Sequence, residues 1–386
     1  MPSPKALRLA SIDMLRGLVM VFMALDHVRD LSSPPPPAAL DFADAGAALF
    51  FTRWVTHLCA PTFVFLAGTS AFLYGAKGRS RGEVSRFLAT RGAWLVVVEL
   101  TVVNLAWNFN LGERYVPLLQ VIWAIGVSMI ALAGLLWLPR PAVLGVGLAM
   151  VLGHNLLDAV QPASAVAPAA WLLLHEQGTL TVGGSPILYV TYPLIPWIGV
   201  MALGYALGPA FAGADRGRAR RLVLAGTVLV AAFLVLRFPN AYGEPNAWHA
   251  HEGLAATLID FLDTTKYPSS LQFLLMTLGP ALLFLGAFER ASGRLADALV
   301  VIGRVPFFFY VLHLYAIHLI ALGIGLAQGF PISSTAVLFV FYPPGFGVSL
   351  GAVYLLWMAV VLSLYPACRR FAGLKARRRD WWLSYL

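Results

Sequence analysis

The chain has 386 residues, of which 59% are hydrophobic and 12% charged, and its mean hydropathy is +0.77. A soluble domain carries about twice that charged fraction, so a water-soluble globular class is excluded. Apolar runs of about 18 or more residues recur along the whole chain, which predicts an all-α, polytopic integral membrane helix bundle.

Ten spans are expected in chain order, with both termini cytoplasmic: 11–30, 54–76, 84–106, 116–138, 141–160, 187–209, 219–237, 268–290, 297–326 and 347–367. One transmembrane domain is expected over 1–386, ending in a basic tail from about 368. The first span, "SIDMLRGLVMVFMALDHVRD", is followed by no small-residue cleavage site, so it reads as a retained helix and not a signal peptide. Asp13, Arg16, Met20 and His27 share one face of it. About 21 Å of helical rise separates Asp13 from His27, so they serve different ends. Asp13 and Arg16 form either an i,i+3 anchor pair or part of a site for an anionic ligand.

In the second span, Arg53, His57 and Pro61 recur every four residues. Pro61 has no N–H, so the carbonyl of His57 is expected to lose its helical partner. Glu99, inside the third span, is either a proton relay or a packing contact, with Asn104 further out. The sixth span carries Pro193 and Pro196, read as a break at mid-membrane depth. The ninth, "GRVPFFFYVLHLYAIH", puts Tyr310 and His313 on one face, while His313 and His318 diverge by about 140°. Arg304 lies near the cytoplasmic end of that span.

Threading the spans collects Lys77, Arg79, Arg81 and Arg86 in one inner loop and Arg216, Arg218, Arg220 and Arg221 in another. The tail adds Arg369, Arg370, Lys375, Arg377, Arg378 and Arg379. The outer loops hold little beyond Arg29, Arg53, Arg114, Arg237 and Lys266. This is the positive-inside pattern, so the net charge of +9 reports topology and not nucleic-acid binding. The tail reads as an anchor at anionic lipid. Cys59 and Cys368 fall at opposite faces, so no disulfide is expected. "SSPPPPAAL" (32–40) reads as a stiff external turn, and 161–186 and 238–267 as the long outer loops.

All eight histidines fall in the outer half. His27, His57, His154, His313 and His318 come from four spans at similar depth, which suggests one shared polar cavity. Trp54, Trp107, Trp171 and Trp248 read as an interfacial belt. There is no P-loop, HExxH, GxSxG or CxxC motif, and no metal is expected.

Asp13-x-x-Arg16-Gly17 followed by His27 resembles the first helix of integral-membrane acyltransferases, including those that O-acetylate bacterial surface polysaccharides. "IDMLRGLVMVFMALDHVRD", "APTFVFLAGTSAFL", "YPLIPWIGVMALGY", "TLGPALLFL" and "GRVPFFFYVLHLYAIH" resemble bacterial relatives of the heparan-alpha-glucosaminide N-acetyltransferase catalytic domain. That resemblance implies transfer of acetyl from cytoplasmic acetyl-CoA to an amino or hydroxyl group of a sugar or other small acceptor at the outer face. It implies a multi-pass protein of the bacterial inner membrane, in contact with lipid, with no nucleic-acid partner and with homodimerisation open. By this reading Asp13, Arg16 and Arg304 hold the donor, and His27, His57, Asp26 and His313 serve catalysis. Arg53, Tyr310 and His318 then bind the acceptor. Two departures stand out. No counterpart of the lumenal domain that precedes the membrane region of the lysosomal enzyme is expected, and 31–53 holds neither a histidine nor the Trp-Asn-Gly that follows that enzyme's functional histidine. His27 and His57 are the nearest candidates. A proton-coupled transporter is the alternative, since broken helices, Glu99 and histidines at one depth suit a carrier as well. A bis-histidine haem protein is a third reading.

Overall fold

The structure, a computed structural model, describes residues 9–34, 46–112, 115–160, 167–213, 217–378, 380 and 383. The segment 35–40 of the Pro-rich turn, Arg114, Arg216 and Arg379 lie outside the described residues. In lipid every backbone N–H and C=O must be paired within the protein, and a helix does this inside one segment. The chain is accordingly mostly helical. In order it forms α1 (Ala10–Ser32), α2 (Ala47–Thr56), α3 (Cys59–Gly75), α4 (Arg81–Val98) and α5 (Asn104–Trp107). There follow β1 (Leu118–Leu119), α6 (Val121–Leu135), α7 (Arg140–Gly153), α8 (Ala167–Leu174), β2 (Gly178–Val182), β3 (Ser185–Val190) and α9 (Leu194–Ala206). The chain closes with α10 (Arg218–Arg237), α11 (Leu254–Leu262), α12 (Leu271–Phe288), α13 (Arg294–Gly303), α14 (Pro306–Ala327), α15 (Ile332–Thr335) and α16 (Leu350–Arg377). Among the described residues, seven helical runs are long and apolar enough to cross a membrane: 47–75, 81–107, 140–157, 218–237, 271–288, 306–327 and 350–377.

Four expectations are corrected. The second span is two helices, α2 and α3, because Pro61 cannot donate to His57 and a turn falls at His57–Leu58. The ninth span is also two helices. Pro306 opens α14 at its first turn, where a missing N–H costs nothing, and Val305 before it is non-helical, so Arg304 sits at a joint. Pro193 and Pro196 do not break a helix. Pro193 caps α9, Pro196 lies in its first turn, and 187–190 are strand. The fold is not purely helical either, since β1, β3 and β2 form a small sheet in that order, with β1 parallel and β2 antiparallel to β3.

Helix α1 is the centre of the bundle, packing on α13, α14, α16, α12, α2 and α3. Its crossing with α13 is set by two glycines. A Cβ at Gly303 would overlap the carbonyl oxygen of Asp13, and one at Gly17 would overlap that of Leu299. Small residues allow such backbone approach between helices in lipid. Gly303→Leu is therefore expected to cost roughly 1–3 kcal/mol through overpacking. Thermal unfolding in detergent checks this against Gly323→Leu, whose Cβ meets open space and which should leave the midpoint unchanged.

Glu99 opens a π-turn, Glu99–Val103, between α4 and α5. Its carboxylate accepts the N–H of Trp123 at 3.2 Å at the start of α6, where helical N–H groups have no partner of their own. Asn104 donates to the carbonyls of Glu99 and Leu118 and accepts the N–H of Leu118. The pair thus ties α4 to α6 through β1.

Candidate active site

A cavity of about 400 Å³ enters the bundle from the end where α1 begins and α16 finishes. Arg16, Arg91, Arg304 and Lys375 stand around it, while Met20, Met23, Phe63, Leu95, Ile122 and Phe307 give it apolar walls. Asp13 holds the mouth together. Its carboxylate faces Arg16 at 3.5 Å and Arg304 at 3.7 Å. Arg16 also donates to the Ser70 hydroxyl. The three residues expected to bind a donor therefore meet. Arg91 was not singled out by sequence reading, and Lys375 belongs to α16 and not to a detached tail.

The far wall of this cavity is Tyr310, whose ring stands edge-on to His27 at 6.0 Å. His27 and His313 are 286 residues apart in sequence, yet His27 Nδ1 lies 2.8 Å from His313 Nε2. His313 Nδ1 lies 2.7 Å from the carbonyl of Phe309. That carbonyl can only accept, so Nδ1 of His313 carries the proton. In the neutral ring its Nε2 then offers a lone pair, and His27 Nδ1–H donates to it. The tautomers follow from the bonding partners. This leaves the lone pair of His27 on Nε2, which no described residue bonds. A proton can be taken up there with no bond in the chain rearranging.

Two further polar groups flank the pair. The Tyr310 hydroxyl and Trp107 Nε1 are buried side by side and bond no other described residue. Trp107 packs edge-on against His27 at 5.0 Å. It is a buried wall of the site and not part of an interfacial belt.

A second cavity, of about 230 Å³, lies at the opposite end of the bundle. Arg53, Trp54 and His57 line it from α2 and the turn that follows, and Gln177, Asn246, Asp263 and Lys266 from the outer loops. Both ring nitrogens of His57 are buried without a hydrogen-bond partner among the described residues. Burial pushes the Asp263 carboxyl above its ordinary range, against the pull of Arg53. Burial also opposes the charge of Lys266, but Tyr267 and Asp26 outweigh it, so its pKa is raised and it stays cationic.

The single histidine cavity expected from depth is not what forms. His27 joins His313, while His57 lines the outer cavity. His154 faces His175 instead. His318 bridges the carbonyls of Ala106 and Thr335 at 2.7 and 3.0 Å, stacked on Phe109. Both its nitrogens face backbone carbonyls, and the neutral ring donates to only one of them. Depth along each helix was readable, but which face meets which depends on packing. Asp26 holds Arg29 at 2.8 Å and does not orient His27.

A family model described as heparan-alpha-glucosaminide N-acetyltransferase, catalytic, matches residues 8–236. That is more than half of the chain. The chain belongs to this family. A search of curated proteins returned no significant match. The heparan-alpha-glucosaminide N-acetyltransferase family is one of membrane acetyltransferases, and the apolar helices here agree with that class. The matched region contains α1 to α9 and most of α10, and so His27, Arg16, Arg91, Trp107 and His57. His313, Tyr310 and Arg304 come from the chain beyond it. No sequence signal links Trp107 or Arg91 to the site, since an aromatic or basic residue near a span end is ordinary.

Proposed function

We propose that the protein moves an acyl group from cytoplasmic acyl-CoA to an amino or hydroxyl group of a sugar-like acceptor at the outer face of a bacterial cell membrane. The carrying observation is the first cavity, which runs from a cationic mouth through apolar walls to Tyr310 and the His27–His313 pair. In this reading all ten spans cross the membrane and both termini are cytoplasmic, with the mouth on the side that positive charge selects. Arg16, Arg91, Arg304 and Lys375 suit the phosphates of CoA, and the apolar walls suit its pantetheine arm.

His27 Nε2 removes the proton from the acceptor as its nitrogen or oxygen attacks the thioester carbonyl. The Tyr310 O–H supplies a donor for the developing oxyanion, with Trp107 Nε1 beside it. The carbon–sulfur bond then breaks, and the proton passes from His27 to the departing sulfur. Arg53, His57 and Lys266 line the entry of the acceptor from the outer side.

The test is release of free thiol from acetyl-CoA by purified, detergent-solubilised protein, with and without glucosamine-type acceptors. Acceptor-dependent release supports the proposal. If no acceptor elicits turnover and acetyl-CoA does not bind, the acyltransferase reading is overturned and proton-coupled transport takes its place. A second expectation concerns the mouth. Arg304→Ala combined with Arg91→Ala should raise KM for acetyl-CoA roughly 10–100-fold, the worth of a charge-assisted hydrogen bond, with kcat little changed. An unchanged KM would place the phosphates elsewhere.

A further inference from the structure

A second histidine pair lies on the outer side, away from His27 and His313. His154 begins the 3₁₀ turn His154–Leu157 that closes α7, Asp158 follows it directly, and His175 follows α8. One donor atom from each of His154, Asp158 and His175 lies within 4.8 Å of the other two. His175 Nε2 is 3.0 Å from Asp158 Oδ1, and Asn155 Nδ2 donates to Oδ2 of the same carboxylate at 2.9 Å. The two imidazole rings meet at 65°, with centroids 6.1 Å apart.

His154 is 1% exposed and His175 is 2% exposed. Both ring nitrogens of His154 and Nδ1 of His175 are buried with no hydrogen-bond partner among the described residues. A neutral imidazole has one donor and one acceptor, and leaving both unmade in a buried site costs their full desolvation. Nothing in the acyl-transfer geometry uses these groups.

We propose that His154, Asp158 and His175 bind one divalent transition-metal ion, of the zinc class. Two imidazoles and a carboxylate are borderline donors that suit such an ion and leave a fourth position for water. Donors on a zinc ion, each about 2.0–2.2 Å from it, stand roughly 3.5 Å from one another. Small side-chain rotations close the present cluster to that spacing. Asn155 then serves as the outer partner that orients the ligating carboxylate. The ion joins the end of α7 to the segment that enters β2. Gln177, two residues beyond His175, lines the outer cavity, so the ion braces that wall.

The test uses full-length, tag-free protein in detergent, stripped with a chelator. Zinc retained after dialysis is measured by mass spectrometry, and cobalt absorption reports the coordination geometry. One equivalent of zinc per chain and tetrahedral cobalt bands are expected. His154→Gln and His175→Gln should each weaken binding by more than the roughly 10–100-fold that an outer-shell change costs. His251→Gln, which breaks the exposed His251–Asp260 pair, should leave one equivalent bound. Should the histidine variants fail to fold, Asp158→Asn at the exposed ligand keeps the shape and must still weaken binding. Absence of stoichiometric zinc in the unaltered protein, or its retention in both histidine variants, overturns the site and leaves His175–Asp158 as a hydrogen bond only.

Discussion

His27→Ala lowers kcat by roughly 10²–10⁴, the usual contribution of a positioned general base, while KM for acetyl-CoA stays near its original value. The reason is positional. His27 is 9% exposed and packed between Trp107, Tyr310 and His313, so no other described group occupies the place of its Nε2. The cationic mouth lies toward the other end of α1 and is untouched by the change. His313→Phe gives the companion result. It keeps a ring against Phe309 but removes the acceptor for His27 Nδ1–H, so the tautomer that leaves Nε2 unprotonated loses its support. A kcat loss of roughly 10–100-fold is expected, matching one lost buried hydrogen bond. The acid limb of the kcat/KM profile should disappear in His27→Ala and persist in His313→Phe. Steady-state kinetics with amine acceptors across pH checks all three statements. Turnover that survives His27→Ala would transfer the base role to His57, whose two ring nitrogens are unbonded in the outer cavity.

Arg237→Leu should unfold the outer wall of the protein. Arg237 is 1% exposed and its guanidinium donates to four carbonyls: Phe261 at 2.9 Å, Asn246 at 2.7 Å, Asp260 at 2.8 Å and Asp263 at 2.9 Å. Three of these lie at the C-terminal end of α11, where helical carbonyls have no partner of their own and favour a cation. Trp248 Nε1 in turn donates to the carbonyl of Arg237 at 2.8 Å. Leucine leaves four part-buried carbonyls without that donor, and a loss on the order of 1–3 kcal/mol follows, the cost of unmade hydrogen bonds to a charged group. Arg237→Lys should not restore it, because an ammonium lacks the planar fork that reaches four acceptors. Thermal unfolding in detergent, with limited proteolysis of 238–267, measures the effect. Asn246 and Asp263 line the outer cavity, so acceptor binding should weaken along with stability. An unchanged midpoint with an intact loop would show that the network is redundant.

Sequence alone determined the membrane class and the rough course of the apolar helices, because these depend on local composition and on the cost of unpaired polar groups in lipid. It also placed Arg53 with His57 and Tyr310 with His313, since residues three or four apart on a helix share a face. Proline was legible as a boundary but not in its role. Pro61 and Pro306 divide long apolar runs, whereas Pro193 and Pro196 only start a helix. Tertiary structure alone decided the rest. A helix dictates which of its faces is polar but not which helix that face meets, and this comes from backbone approach at contacts such as Gly17 with α13 and Gly303 with α1. Those approaches bring His27 to His313 and Arg16 to Arg304, bury Trp107 beside them, and send His57, His154 and His318 to three other places.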